Sequence, residues 1–165
     1  YKRLDLVIEA GEQAGMPVVL AGGGPERARL AAQGDAATVP VTIVDDPSSA
    51  LLYALYERAA VFVFPPLEDF GIMPVEAMAL GTPVVANVVG GSAETVTEGV
   101  SGIHFENLAK EDVGRAIVSA LELSADDCRV ASRRFSRETF DESFSAWMTT
   151  TLGTSTPATA ASTAG

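Results

Sequence analysis

The chain has 165 residues, 47% of them hydrophobic and 20% charged, with 22 Asp+Glu against 11 Lys+Arg and a formal net charge of −11. A chain of this size buries roughly two-thirds of its unfolded surface as one domain. Its acidic balance argues against a general binder of nucleic acid, because such affinity rests on Lys and Arg neutralising phosphates, so any phosphate site must be local. No uncharged apolar run approaches the ~20 residues of a membrane helix. The single thiol, Cys128, cannot close an internal disulfide and suits a reducing compartment.

The chain opens on Tyr1-Lys2-Arg3-Leu4-Asp5 without an initiator Met, and so reads as a fragment of something longer. Leu4, Val7, Ile8 and Ala10 recur at helical spacing, and Gly11, Gly15 and Pro17 close that segment before the strand-like Val18–Ala21. Gly22-Gly23-Gly24-Pro25 then leads into a helix from Glu26 to Ala32, and Val41–Val44 is the next β-branched run. Ser48 or Ser49 can cap a helix over Ala50–Ala59 with Leu51, Leu52, Leu55 and Tyr56 on one face. Val61–Phe64 reads as a central parallel strand, apolar on both faces. A helix from about Met73 to Leu80, a strand Pro83–Ala86, a short helix from Ala93 and a strand Gly102–Phe105 continue the alternation. Leu108–Leu123, Asp126–Arg134 and Arg137–Met148 read as three closing helices, the last capped by Ser136, with Phe140, Phe144 and Trp147 expected to cover the core.

This alternation predicts a doubly wound parallel α/β sheet, Rossmann-like, over residues 1–150. The remainder, 151–165, is expected to be a disordered low-complexity tail, since Gly153–Gly165 has no charge, no aromatic and no aliphatic residue larger than Ala. In such sheets ligands lie beyond the carboxyl ends of the strands.

Five loops therefore fall on one rim, and they differ in information. The Gly22–Gly24 triple lacks the third glycine of a dinucleotide fingerprint and reads first as a tight turn. The loop Pro65–Ile72 is richer. It leaves a buried strand, carries Glu68, passes Gly71 and enters a helix whose opening turns carry Glu76. The Phe70, Gly71 and Ile72 amides at that helix start can receive an anion. Carboxylates beside an anion site suit a ligand with an anionic middle and hydroxyl-rich ends, the shape of a nucleotide sugar, although acids also favour helix starts for their own sake. Asp45 or Asp46 could accept from an amino-bearing purine, or serve as a turn residue. His104 has no second His or Cys near it in sequence, which argues against a metal. Cys128 reads as a small packing residue, and no hydrolase triad spacing is present.

The segment Phe64–Val85, FPPLEDFGIMPVEAMALGTPVV, resembles the signature of retaining GT-B glycosyltransferases of the group 1, family 4 type, with Glu68 and Glu76 matching its E-x7-E motif. The likeness extends to Tyr1–Leu6, Gly24–Arg27, Leu55-Tyr56, Gly90-Gly91, Glu94–Val96 and Gly102, and so covers roughly Tyr1–Met148. It implies the C-terminal, donor-binding half of a GT-B fold. It implies further that Lys2, one of two lysines, binds the donor diphosphate, that Glu68 lies near the transferred sugar as the catalytic acid of the motif, and that Glu76 accepts from the ribose hydroxyls. The backbone of Phe70, Gly71 and Ile72 would hold the sugar or phosphates, and the loop after Ile43 and Val44 would contact the base. Gly23 in the first loop is counted with these donor-binding positions by the same resemblance, although the family commonly has an acid where Gly23 stands and a Gly where Asp45 stands, so the first loop and base pocket are expected to differ here.

The expected donor is a nucleotide sugar such as GDP-mannose or a UDP-sugar, without metal or other cofactor, and the expected transfer is of a hexose, mannose or glucose, to a glycan or lipid-linked acceptor. The expected partner is an N-terminal acceptor-binding domain, without which the chain would be nearly inactive. The expected setting is cytoplasmic, at a membrane face only through that other domain. Alternatives are a non-catalytic nucleotide-sugar module, a phosphorylase or sucrose-type synthase, and an epimerase.

Overall fold

The computed structural model describes residues 1–153, so the tail expected beyond that point lies outside the described residues. The chain forms two compact units, Tyr1–Arg133 and a second beginning at Arg134.

In the first unit, helices and strands alternate: α1 (Leu4–Ala14), β1 (Val18–Ala21), α2 (Arg27–Ala36), β2 (Val41–Val44), α3 (Ser49–Arg58), β3 (Phe62–Phe64), α4 (Ile72–Ala79), β4 (Val84–Asn87), α5 (Gly91–Thr95), β5 (Gly102–Phe105), α6 (Lys110–Ala120) and α7 (Ala125–Ser132). The class is the expected α/β with parallel strands. The five strands pair as two parallel ladders, β1 with β2 and β3–β4–β5 in that order, with Val18 opposite Val41 in the first and Phe62 opposite Val84 opposite Gly102 in the second. The fully buried central strand is thus β4, whose Val84, Val85 and Ala86 are wholly enclosed. The expectation that Val61–Phe64 is central is corrected: β3 edges its ladder, and its Phe62 is only half-buried.

Side chains join the two ladders where hydrogen bonds do not. α1 sends Leu6 and Ala10 into one core cluster with Val85, Phe105, Val113 and Ile117, and Val7 and Ile8 into another with Val18, Leu20 and Leu30. Val63 packs on both clusters. Burying these side chains contributes roughly 1.5–3 kcal/mol each for the larger ones, before the cost of ordering them.

Gly15 ends α1 in the left-handed conformation, φ 67°, but Gly11 stays inside the helix. A Cβ at Gly11 would run into the Val18 side chain, so this glycine lets β1 close on α1. Ser48, Ser124 and Ser136 each cap a helix by accepting from the amide three residues on. Of the apolar face expected on α3, Tyr56 is buried, Leu52 and Leu55 are half-buried, and Leu51 is exposed.

A short 3₁₀ turn over Arg133–Phe135 precedes α8 (Arg137–Leu152), which runs past the expected end at Met148. Phe140, Phe144 and Trp147, expected to be covering residues, are exposed on α8. Their helical spacing stacks them on one another instead, with centroids 5.7 Å and 5.8 Å apart.

Candidate functional site

The residues singled out in the sequence fall in two groups, one at the carboxyl ends of β1 and β2, the other at those of β3 and β4. In the first, Gly22 and Gly24 take positive φ, 120° and 158°. Gly23 between them is exposed, and a Cβ there would lie 3.0 Å from the Asp46 carboxylate. An acidic side chain at Gly23 would thus meet a like charge.

Asp46 adopts φ 41°, a turn conformation Asp tolerates. Asp45 is held by Arg27, whose Nε and Nη2 both donate to its carboxylate at 2.7 Å. This bidentate pair straps the start of α2 to the loop after β2. The hydrogen bonds from Arg27 hold the Asp45 carboxyl below its usual range. Both groups face solvent, so the strap fixes geometry more than stability. Ile43 and Val44, at the end of β2, are half-buried. A hollow of about 210 Å³ lies beside them, lined by Arg27, Ala31, Gly34, Asp35, Val41 and Ile43, and by none of Lys2, Glu68 or Glu76.

The second group is built on the segment from Pro65 to Gly71. Pro65 and Pro66 are buried, while Leu67, Phe70 and Ile72 present their side chains to solvent. Gly71 precedes α4 at φ 76°, and no side chain caps that helix. The first-turn amides of an uncapped helix carry unsatisfied donors and the positive end of its dipole.

What holds the segment is a pair of glycines after β4. The Gly91 amide donates to the Glu68 carbonyl at 2.7 Å. A Cβ on Gly91 would fall 2.4 Å from Phe70 Cα, inside backbone contact distance. Gly90, at φ 91°, lies so close that its Cβ would be 2.7 Å from Leu67 and 3.0 Å from the Glu68 carbonyl. The sequence flagged Gly90-Gly91 only as part of a likeness. Their role as the floor under the Glu68 loop has no local sequence signal.

Glu68 and Glu76 are both half-buried, and neither carboxylate has a hydrogen bond or ion pair among the described residues. Tyr56 of α3 is buried within reach of the Glu76 charge. Burial first, and then the Glu76 charge, pushes its phenol up to about 12. Lys2 is exposed two residues ahead of α1, beside Arg3, which pairs with Asp5 at 3.2 Å. Among the described residues, no hydrogen bond or ion pair joins Lys2 to Glu68, Glu76 or the start of α4.

His104 is tied down by Glu98, which accepts both its backbone amide at 2.7 Å and its ring Nδ1 at 2.9 Å. Cys128 is buried with its Sγ 3.9 Å from the Ser101 carbonyl oxygen, as a packing residue would be. Among the described residues, no group of three or more His, Cys, Asp or Glu is placed to hold a metal, and no helix is long and apolar enough to cross a membrane.

Parallel α/β units with a helix N-terminus open at a strand's carboxyl end form the class of domain that receives anionic ligands at that edge. Within that class, this chain belongs to the glycosyl transferases group 1 family, whose profile matches residues 1–137. Over 92 residues it is 40% identical to the D-inositol 3-phosphate glycosyltransferase of Geodermatophilus obscurus, covering 53% of this chain and 20% of that one. Over 86 residues it is 37% identical to the sucrose synthase of Melioribacter roseus, covering 52% and 11%. Among solved structures it shares its fold with Anabaena Alr3699/HepE in complex with UDP-glucose, at TM-score 0.73 and 22% identity over 91% of this chain and 46% of that one. It also matches the apo form of the lipopolysaccharide outer core galactosyltransferase WaaB, at TM-score 0.76 and 15% identity over 90% and 45%. The fold is that of GT-B glycosyltransferases, and the chain spans about half the length of these solved structures.

Proposed function

We propose that this chain is the donor-binding half of a retaining glycosyltransferase that moves a hexose, mannose or glucose, from a nucleotide sugar to a glycan or lipid-linked acceptor. The observation that carries the reading is the uncapped start of α4 behind Gly71, with the E-x7-E carboxylates of Glu68 and Glu76 on either side of it in sequence and, among the described residues, without hydrogen-bond or ion-pair partners of their own.

In this reading the amides of Gly71 and Ile72, with the Phe70 backbone, take up the donor's phosphates or sugar, and Lys2 adds a full positive charge to the diphosphate. That charge stabilisation makes a divalent metal unnecessary. Glu76 accepts from the ribose hydroxyls, and Glu68 faces the developing positive charge on the transferred sugar. Ile43 and Val44 offer backbone to the base, while Gly23 leaves the first loop open. An N-terminal domain supplies the acceptor and the other wall of the cleft. The protein works in the cytoplasm, reaching a membrane face through that domain.

The test is calorimetric titration of the chain with UDP, GDP, UDP-glucose and GDP-mannose. Millimolar or tighter binding of one nucleotide series is expected, weakened roughly tenfold by Glu76→Gln, since hydrogen bonds to a charged acceptor are worth about 1.5–3 kcal/mol. Absence of binding by all four, or an unchanged Kd in Glu76→Gln, would overturn the site.

A further inference from the structure

Tyr56 is 4% exposed, yet its hydroxyl has no hydrogen-bond partner among the described residues. A buried O–H without a partner carries a desolvation cost of about 1–3 kcal/mol, and a phenol that served packing alone would be better replaced by Phe. The ring is also firmly placed. Its edge meets Phe62 with centroids 5.1 Å apart at 83°. The Tyr56 carbonyl accepts from the buried Thr82 hydroxyl, while the Thr82 amide donates to Ala77 of α4 at 3.0 Å. Thr82 thus ties the α3 residue to the very turn of α4 that follows Glu76. The Glu76 carboxylate, half-buried and without a hydrogen bond, is close enough for its charge to act on the phenol. The buried donor without an acceptor and the half-buried acceptor without a donor thus lie on turns of α3 and α4 that Thr82 ties together.

We propose that Tyr56 is a positioning residue of the donor site, whose buried hydroxyl donates to the Glu76 carboxylate when a ribose engages it. One carboxylate lone pair is then fixed from behind, and the others are aimed at the two ribose hydroxyls. Holding the carboxylate in one rotamer removes an ordering cost that ribose binding would otherwise bear. The phenol also replaces the water that a half-buried carboxylate gives up when the ligand covers it. The inference rests on the ribose role assigned to Glu76 above.

The experiment titrates the chain and its variants with UDP and with the 2′,3′-dideoxyribose analogue of UDP, or with the GDP pair if that series is the one that binds. Tyr56→Phe is expected to weaken the ribonucleotide three- to tenfold and the dideoxy analogue hardly at all, with the melting temperature unchanged or raised because an orphaned hydroxyl has been removed. In a Glu76→Gln background the further effect of Tyr56→Phe should shrink towards none. Equal loss for both nucleotides, or a lowered melting temperature, would make the hydroxyl structural and overturn the proposal. So would an unchanged Kd in Tyr56→Phe while Glu76→Gln weakens binding, and that pattern leaves the Glu76 reading standing. An unchanged Kd in Glu76→Gln sinks the underlying reading first.

Discussion

The loop that carries Glu68 has no helix or strand to hold it, and its position depends on the absence of one side chain. Gly91→Ala tests that dependence. The new methyl carbon would lie 2.4 Å from Phe70 Cα and 2.5 Å from the Asp69 carbonyl carbon, so main chain rather than a flexible side chain must move. Forcing a methyl into such a contact costs about 1–3 kcal/mol. The displaced loop also weakens the 2.7 Å bond from the Gly91 amide to the Glu68 carbonyl, worth about 1 kcal/mol. The sum, about 2–4 kcal/mol, corresponds to a fall of roughly 5–15 °C in the melting temperature of a chain this size. Calorimetric melting reads the first effect, and titration with UDP or GDP reads the second, since the Glu68 carbonyl and the start of α4 shift together. Gly99→Ala is the control. Its φ of 69° strains any side chain, but nothing lies within 4 Å, so it should cost about 1 kcal/mol and leave nucleotide binding alone. A Gly91→Ala variant that melts and binds like the parent would refute the claim that backbone contact sets this loop.

Thr82→Val keeps shape but removes the hydroxyl that donates to the Tyr56 carbonyl; a loss of about 1–2 kcal/mol should appear as a melting temperature lower by roughly 3–6 °C. Absorbance titration at 295 nm should include a step near pH 12 that Tyr56→Phe abolishes. Because the folded value lies above the ordinary one of about 10, the contribution of Tyr56 to stability is intact below pH ~10 and falls away as pH climbs towards 12. A denaturation series across that window should flatten in Tyr56→Phe. Cys128 is buried and its thiol is pushed up by that burial, so a bulky disulfide reagent should label it only as fast as the chain unfolds, and rapid labelling of the native chain would contradict its placement.

Local chemistry made much of the fold legible. Val18–Ala21, Val41–Val44 and Gly102–Phe105 form strands at the expected bounds, because β-branched runs between glycines and prolines leave little choice. Ser48 and Ser136 cap as their side chains suggest. Gly11 misled as a helix stop because its reason lies in Val18, across a turn and on another element. The break between the β1–β2 and β3–β4–β5 ladders was likewise invisible, since apolar runs report burial and not which edges pair. At the site, the E-x7-E spacing and Gly71 could be read directly. The contacts that shape it could not: Arg27 reaches Asp45 across 18 residues, and Glu68 meets Gly91 across 23. Pairings of that kind leave no periodic trace.

α1 divides its apolar side chains between two clusters, and that division bears on the order in which the protein can assemble. Val7 and Ile8 find Val18, Leu20 and Leu30 early in the chain, but Leu6 and Ala10 wait for Val113 and Ile117 near the far end. As synthesis proceeds from the amino end, a β1–β2 subdomain can therefore collapse on half of α1 while the other half stays uncovered until α6 has been made. Folding of the first unit then closes on a contact of high sequence separation, which favours a slow final step. Hydrogen exchange during refolding should protect β1 and β2 before β4 and β5, with α1 acquiring its protection in two stages.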